Sequence, residues 1–306
     1  MLKKPLISIL MNCFNGEEFL IYALESVIKQ TYQNWELIFW NNKSTDRSLE
    51  IISNYHDHRI KVFTSTRHTN LGEARKKALK KAKGEFLAFL DVDDIWTSDK
   101  LMQQINVFED DEIGVSFTNS VYFSEKRKKN LYKSREEINV NTKSLITNYS
   151  LSLNSLMIDL KKLNNLHYDF DEKFSHICDF DLIVRLSTIS KVKYLNQILS
   201  GWRIHGNNES FKRKNLFNKE IKAWCEFHLN NKYLENYYKE IKELELLNSA
   251  QSRILSNNFN FPNFKEINFN RTSKAKNFFF ILFSYIPILP NFIYKIKDII
   301  FQFKWY

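Results

Sequence analysis

The first hundred residues alternate between two hydrophobic periods. Ile7–Cys13 is an apolar, strand-like run that stops at Asn15-Gly16, a turn signal. Glu17–Gln30 then sets Phe19, Leu20, Ala23, Leu24, Val27 and Ile28 at helical spacing. Trp35–Trp40 predicts a second strand, closed by Asn41-Asn42-Lys43. Ser44 or Thr45 is expected to cap a helix running through Tyr55, with Asp46 in its first turn. Ile60–Thr64 predicts a third strand and Gly72–Lys83 a basic helix with Ala74, Ala78, Leu79 and Ala82 on one face. Gly84 ends that helix, and Phe86–Leu90 predicts a strand running into Asp91-Val92-Asp93-Asp94. Helix Lys100–Phe108 and strand Gly114–Thr118 follow.

Strands alternating with helices of this length predict βαβ units and a mainly parallel sheet. Such sheets bind ligands at the carboxyl ends of their strands. The polar clusters at 12–17, 41–46 and 91–94 all fall at those ends. Beyond Asn119 the pattern weakens. Glu125–Glu137 reads as a charged loop, Asp179–Ser187 as a helix, and Ile198–Ile204 as a strand ending at His205-Gly206-Asn207-Asn208. From residue 211 the chain reads as mostly helical, with an amphipathic Tyr233–Leu247 and no internal repeat.

Composition narrows the function classes. With 43% hydrophobic and 26% charged residues the chain is globular, and 306 residues admit one large domain or two smaller ones. The cysteines Cys13, Cys178 and Cys225 form no CxxC pair, which argues for a reducing compartment and against a disulfide framework or structural zinc. Lys3 and Lys4 before Leu6–Phe14 mimic a signal peptide, but Asn12 interrupts the run and no small-residue cleavage site follows. Neither the dinucleotide glycine fingerprint nor the phosphate-loop motif occurs, which disfavours a dehydrogenase or an ATPase.

Of the net charge of +10, a surplus of 8 lies in residues 211–306, where 16 Lys/Arg face 8 Asp/Glu. Asn277–Tyr294 carries no charge, is broken by Pro287 and Pro290, and is flanked by Lys274, Lys276, Lys295 and Lys297. This composition suits a segment lying on an anionic membrane surface better than one crossing it. Nucleic-acid binding is the weaker reading, because charge and aromatics are segregated and no module motif occurs.

The acidic cluster holds the clearest chemistry. Asp91 and Asp93, two apart at a strand end, can face one cleft and offer hard oxygen ligands to Mg²⁺ or Mn²⁺. The plainer alternative is an acidic turn that caps the following helix.

Ser8-Ile9-Leu10-Met11-Asn12-Cys13-Phe14-Asn15, Trp35-Glu36-Leu37-Ile38, Asn41–Asp46, Ala74-Arg75, Lys83-Gly84-Glu85-Phe86, Phe89–Asp94, Cys178-Asp179-Phe180-Asp181-Leu182 and Trp202-Arg203-Ile204-His205 stand in a telling order. That ordered series resembles the family 2 glycosyltransferases of the GT-A fold, over about residues 5–210. The resemblance implies an α/β, Rossmann-like, mainly parallel sheet flanked by helices over 1–210. The composition of residues 211–306 predicts a helical, basic and aromatic extension associated with the membrane, a segment that lies outside the resemblance. The resemblance itself ends near residue 210.

It also implies inverting transfer from a nucleotide-diphosphate sugar, UDP-sugars favoured, to a hydroxyl of a glycan or lipid-linked acceptor. The setting would be bacterial surface polysaccharide synthesis: O-antigen, capsule or lipooligosaccharide. The enzyme would be cytoplasmic, held at the inner face of the membrane, with no nucleic-acid partner. Asn12, Phe14, Asn15, Glu17, Asn42, Arg75 and Asp91 match nucleotide-sugar-binding positions. Asp93, Asp91 and His205 match ligands for Mn²⁺ or Mg²⁺. Asp179 matches the catalytic base, with Asp181 as the alternative; Trp96 and Trp202 are candidate sugar-stacking walls, with buried packing the favoured role for each. Two departures stand out: Asn42 where the family commonly has aspartate, and Cys178 where glutamate often precedes the base. They leave room for a GT-A-fold scaffold without turnover.

Overall fold

The computed structural model describes residues 4–125, 128–132, 138, 140–209 and 213–256. These form two compact units, residues 1–145 with 150–204, and 146–149 with 205–306. Strand β1 (Ile7–Cys13) is followed by helix α1 (Leu20–Ile28), β2 (Trp35–Asn41), α2 (Ser48–Ser53), β3 (Ile60–Thr64), α3 (Leu71–Leu79) and β4 (Phe86–Phe89). Next come β5 (Ile95–Trp96), α4 (Lys100–Ile105), β6 (Ile113–Phe123), β7 (Lys128–Asn130), α5 (Thr142–Thr147), β8 (Met157–Asp159), α6 (Leu160–Leu163), α7 (Cys178–Leu186) and β9 (Lys191–Arg203). In the second unit lie α8 (Lys214–Asn230) and α9 (Tyr238–Ser256).

The nine strands form one mixed sheet in the order β3-β2-β1-β4-β8-β6-β9-β5, with β7 on β6. The first half is parallel, as the βαβ pattern predicts, with Cys13 opposite Asn41 and Asn41 opposite Thr64, so three strands end level. The second half is not: β8 runs antiparallel to both β4 and β6, and β5 antiparallel to β9, while β6 and β9 are parallel. The acidic segment therefore connects β4, mid-sheet, to β5, at the edge.

Burial explains the continuous apolar reading of β1 and β2, because helices cover both faces. Ile7, Ile9, Met11 and Cys13 pack with Leu20, Ala23, Leu24 and Val27 of α1. The opposite face of β1 carries Ser8, whose hydroxyl donates to Glu36 Oε1 at 2.7 Å and accepts from the Gly84 N–H at 2.8 Å. A Cβ on Gly84 would meet Ser8 N at 2.6 Å and Leu6 O at 2.7 Å, so glycine is required by this close backbone approach.

Several boundaries move. The basic helix ends at Leu79 rather than Lys83, its last residues tightening into turns from Lys81 N to Ala78 O and Ala82 N to Leu79 O. Neither Ser44 nor Thr45 caps α2: Arg47 stands at its N-cap without a side-chain cap bond, and Asp46 Oδ1 accepts from Ser48 N at 3.0 Å in the turn that leads in. Ser44 and Thr45 instead bond across to Asn15. Strand β6 runs on to Phe123 and β9 starts at Lys191, and the short β5, β7 and β8 carry no readable period.

In the second unit, Ile221, Trp224 and Cys225 of α8 and Ile241 and Ala250 of α9 are buried, and Asn248 Nδ2 donates to Asn218 O at 2.9 Å. Among the described residues no helix is long and apolar enough to cross a membrane. The Asn277–Tyr294 stretch lies outside the described residues.

Candidate active site

The β1 and β2 ends are locked together by their loops. Asn15 adopts a φ of 53°, a left-handed conformation that asparagine tolerates. Its N–H donates to Ser44 Oγ at 3.0 Å and its Oδ1 accepts from Thr45 N at 2.8 Å. Glu17 N donates to Asp46 Oδ2 and Arg47 N donates to Glu17 Oε2, each at 2.9 Å. Asn15 and Glu17, matched from sequence to nucleotide contacts, thus spend these groups on fastening one loop to the other.

Asn42 is buried and similarly committed. Its Oδ1 accepts from Thr69 N at 3.2 Å and Thr69 Oγ1 at 2.9 Å, and its Nδ2 donates to Thr69 O at 2.7 Å. What it holds is the segment before α3. His68 Nδ1 lies 3.1 Å from Asn42 O, and its ring sits 4.1 Å from that of Phe14. Phe14 is 48% exposed, so it is a surface platform rather than core filler.

Two buried donors on one sheet face lack acceptors. The register sets Asn12 opposite Trp40, and neither Asn12 Nδ2 nor Trp40 Nε1 meets a hydrogen-bond partner among the described residues. Leaving such groups unpaired costs about 1–3 kcal/mol each, which a ligand with carbonyl or phosphate oxygens would recover.

Arg75, on α3, is the centre of the site. Its guanidinium is nearly inaccessible, yet Nη2 lies 3.5 Å from Asp91 Oδ1 and Nη1 lies 4.0 Å from Asp179 Oδ1. Nη1 also donates to Cys178 Sγ at 3.0 Å. Burial alone would favour the neutral form, but the Cys178 sulfur, Asp91 and Asp179 outweigh it and hold Arg75 more firmly charged than in water. Asp91 is drawn the other way. Desolvation on the cleft floor, with the charges of Asp93 and Asp179, pushes its carboxyl up to about 6 against the pull of Arg75. Its side chain keeps 40% of its surface open, and that of Asp179 keeps 18%.

The third acidic residue has a different task. Asp94 is buried; its Oδ1 accepts from Arg203 N at 2.9 Å and its Oδ2 from Asn154 Nδ2 at 2.8 Å. Desolvation, reinforced by Asp93 and Asp91, raises its carboxyl well above the usual range. Arg203 Nε donates to Asp93 O at 3.0 Å, and its guanidinium lies over Phe19 and Phe123. No motif pointed to Asn154 or to this use of Arg203, because both act through a neighbour distant in sequence.

Asp181, the alternative base, is fully buried and paired with Arg185 at 2.7 Å. That pairing removes it from the cleft. Trp96 is buried with Nε1 donating to Asn154 O at 2.7 Å, so it packs rather than lining a sugar site. Trp202 meets Tyr122 edge-on at 4.9 Å. His205 falls in the second unit, where its N–H donates to Asn208 Oδ1. A cavity lined by Gln33, Tyr55, His58 and Arg59 opens at the amino ends of β2 and β3, the opposite ends of the strands from this chemistry.

Among the described residues, no three His, Cys, Asp or Glu converge into an all-protein metal cage. Asp91 and Asp93 nevertheless fit a divalent ion that takes its remaining ligands from a diphosphate, the usual manner of Mg²⁺.

A model of "Glycosyl transferase family 2" matches residues 8–170, more than half of the sequence, from the second residue of β1 to beyond β8. The chain belongs to that family. It is similar to the Escherichia coli protein WfgD, a UDP-Glc:alpha-D-GlcNAc-diphosphoundecaprenol beta-1,3-glucosyltransferase. They are 32% identical over 168 residues, 55% of this chain and 66% of WfgD. Just under two thirds of that relative is thus spanned.

Among solved structures, S. aureus TarS 1-349 in complex with UDP superposes with a TM-score of 0.62 at 19% identity, covering 93% of this chain and 81% of that one. The mannosyltransferase PcManGT from Pyrobaculum calidifontis, in complex with GDP-Man and Mn²⁺, gives 0.62 at 11% identity, covering 97% and 88%. The fold is GT-A, as the resemblance implied, with C-terminal helices beyond it. The family match stops at residue 170, before α7, and so does not reach Asp179, whose place beside Arg75 comes from the geometry.

Proposed function

We propose that the protein transfers a sugar, with inversion, from a nucleotide-diphosphate sugar to a hydroxyl of a glycan or lipid-linked acceptor in bacterial surface polysaccharide synthesis. The observation that carries this is Arg75, one guanidinium set between Asp91, at the acidic strand end, and Asp179, at the start of α7. It brings a diphosphate-facing carboxylate and a partly open carboxylate to one cleft. UDP-sugars are the favoured donors, in keeping with the UDP and UDP-Glc in the names of TarS and WfgD.

Asp179 takes the proton of the acceptor hydroxyl as its oxygen attacks the anomeric carbon. The bond to the diphosphate breaks on the opposite face and the nucleotide diphosphate leaves with that electron pair. Asp93 and Asp91, two residues apart just past the end of β4, would hold Mn²⁺ or Mg²⁺. When bound, the ion offsets the charge that grows on the diphosphate. Phe14 and His68 offer a face to the base, and Asn12 Nδ2 a donor to its carbonyl oxygens. The basic C-terminal segment would hold the enzyme at the anionic inner face of the membrane, where a lipid-linked acceptor resides.

Thermal stability measured against UDP-, GDP-, dTDP- and CMP-sugars, with and without Mn²⁺, tests the reading. UDP-sugars should stabilise only with the metal, and Asp93→Asn should abolish the effect. No shift with any donor would remove the transferase reading. Binding without turnover would favour the scaffold.

A further inference from the structure

Asn154 belongs to none of the motifs that define the site. It lies in the 3₁₀ turn Leu153–Ser155, 1% exposed, and its amide is fully engaged. Nδ2 donates to Asp94 Oδ2 at 2.8 Å and to Gly201 O at 3.1 Å, while Oδ1 accepts from Ser152 Oγ at 2.7 Å and Ser120 Oγ at 3.4 Å. Its carbonyl accepts from Trp96 Nε1 at 2.7 Å. One side chain therefore ties the last residue of the acidic segment to β6 and β9, and its backbone ties that same turn to β5.

We infer that Asn154 is a positioning residue for the metal-binding carboxylates: by holding Asp94 from beneath, it fixes the backbone from which Asp91 and Asp93 project. The inference rests on the metal reading proposed above. Asp94 is not a ligand here, since both its oxygens are bonded to the protein. What Asp94 supplies is an anchor, and the amide is the half of it contributed by the sheet. A carboxylate at position 154 has no N–H to give, so Asp94 Oδ2 and Gly201 O both lose the amide donor they share. Groups that orient metal ligands typically govern about 10–100-fold in metal affinity.

The test is the affinity of the full chain for Mn²⁺ in the presence of UDP, read from the electron paramagnetic resonance signal of free Mn²⁺. Asn154→Asp should weaken it by about tenfold or more while the far-UV circular dichroism stays that of a folded protein. The double variant Asn154→Asp with Asp94→Asn restores a donor–acceptor pair with reversed polarity. It should return the affinity to within about threefold of wild type.

Leu163→Ala is the control: this side chain is buried in α6, next to the end of β8 that pairs with the start of β4, away from the acidic segment. It should lower Tm and leave Mn²⁺ affinity unchanged. If Asn154→Asp does not fold, Asn154→Ser carries the comparison. Wild-type Mn²⁺ affinity in a folded Asn154 variant overturns the inference, as does equal loss in Leu163→Ala at matched Tm. If the wild-type protein with UDP takes up no Mn²⁺, the metal reading fails and this inference falls with it.

Discussion

Arg75 cannot swing out as a mobile phosphate clamp without leaving Asp91, Asp179 and Cys178 behind, because its guanidinium is buried among them. Its chemistry is that of a fixed charge setting the spacing of two carboxylates. Asp179→Asn should therefore lower kcat by about 10²–10⁴-fold yet leave the Mn²⁺-dependent stabilisation by UDP intact, separating proton transfer from donor binding. Loss of both together would instead place Asp179 in donor binding.

Lys100 gives a second test at this scale. It is fully buried, Nζ donates to Gln104 Oε1 at 2.7 Å, and it lies 4.4 Å from the Trp96 ring centre. Burial pushes its ammonium down to about 7. In the unfolded chain it titrates near 10.4, so between pH 7 and about 10 the unfolded state holds the extra proton. Stability from this group should then rise with pH across that window, by about 4 kcal/mol at most. Urea midpoints from pH 7 to 10 should show the rise, and Lys100→Met should flatten it. An equal slope in both proteins would assign the titration elsewhere.

At the scale of elements, the site depends on how closely α3 meets the segment before α7. A Cβ on Gly72 would lie 2.1 Å from Phe174 O and 2.7 Å from Asp171 O, both backbone atoms. Asn70, which caps α3 by accepting from Glu73 N, also donates through Nδ2 to Glu172 O at 2.7 Å. The glycine lets α3 approach residues 171–174, and that approach sets Arg75 beside Cys178 and Asp179. Gly72→Ala should cost about 1–3 kcal/mol and lower kcat more than donor affinity, because Asp179 moves while Asp91 keeps its place just past the end of β4. Calorimetry and steady-state kinetics on the same variant check this; unchanged kcat would show that α7 is placed independently.

At the scale of the whole molecule, the charge is polarised along the chain, with a surplus of 8 in residues 211–306 against a net +10. Co-sedimentation of the full chain with vesicles should be strong for anionic lipid, weak for zwitterionic lipid, and reduced as salt shortens the Debye length. A chain cut after Ser256 should lose most of this binding. Equal binding by both would move the membrane contact to the described residues.

The sequence by itself determined the elements from Ile7 to Phe89, the clustering of polar groups at the strand ends, and the family. Those are local or strictly ordered properties: a period of 3.6 or 2, a glycine at a turn, carboxylates after an apolar strand. The tertiary structure decided what each polar group does. Asn15, Glu17 and Asn42 read alike as nucleotide contacts, but the fold turns their hydrogen bonds onto neighbouring loops. Asp179 and Asp181 are two residues apart, and only packing tells them apart, since one faces the cleft and the other is sealed against Arg185. Asn154 carried no signal at all, because its partners Asp94, Ser120 and Gly201 lie 34 to 60 residues away. Hydrophobic period is written along the chain; a hydrogen bond between distant residues exists only once the sheet has brought them together.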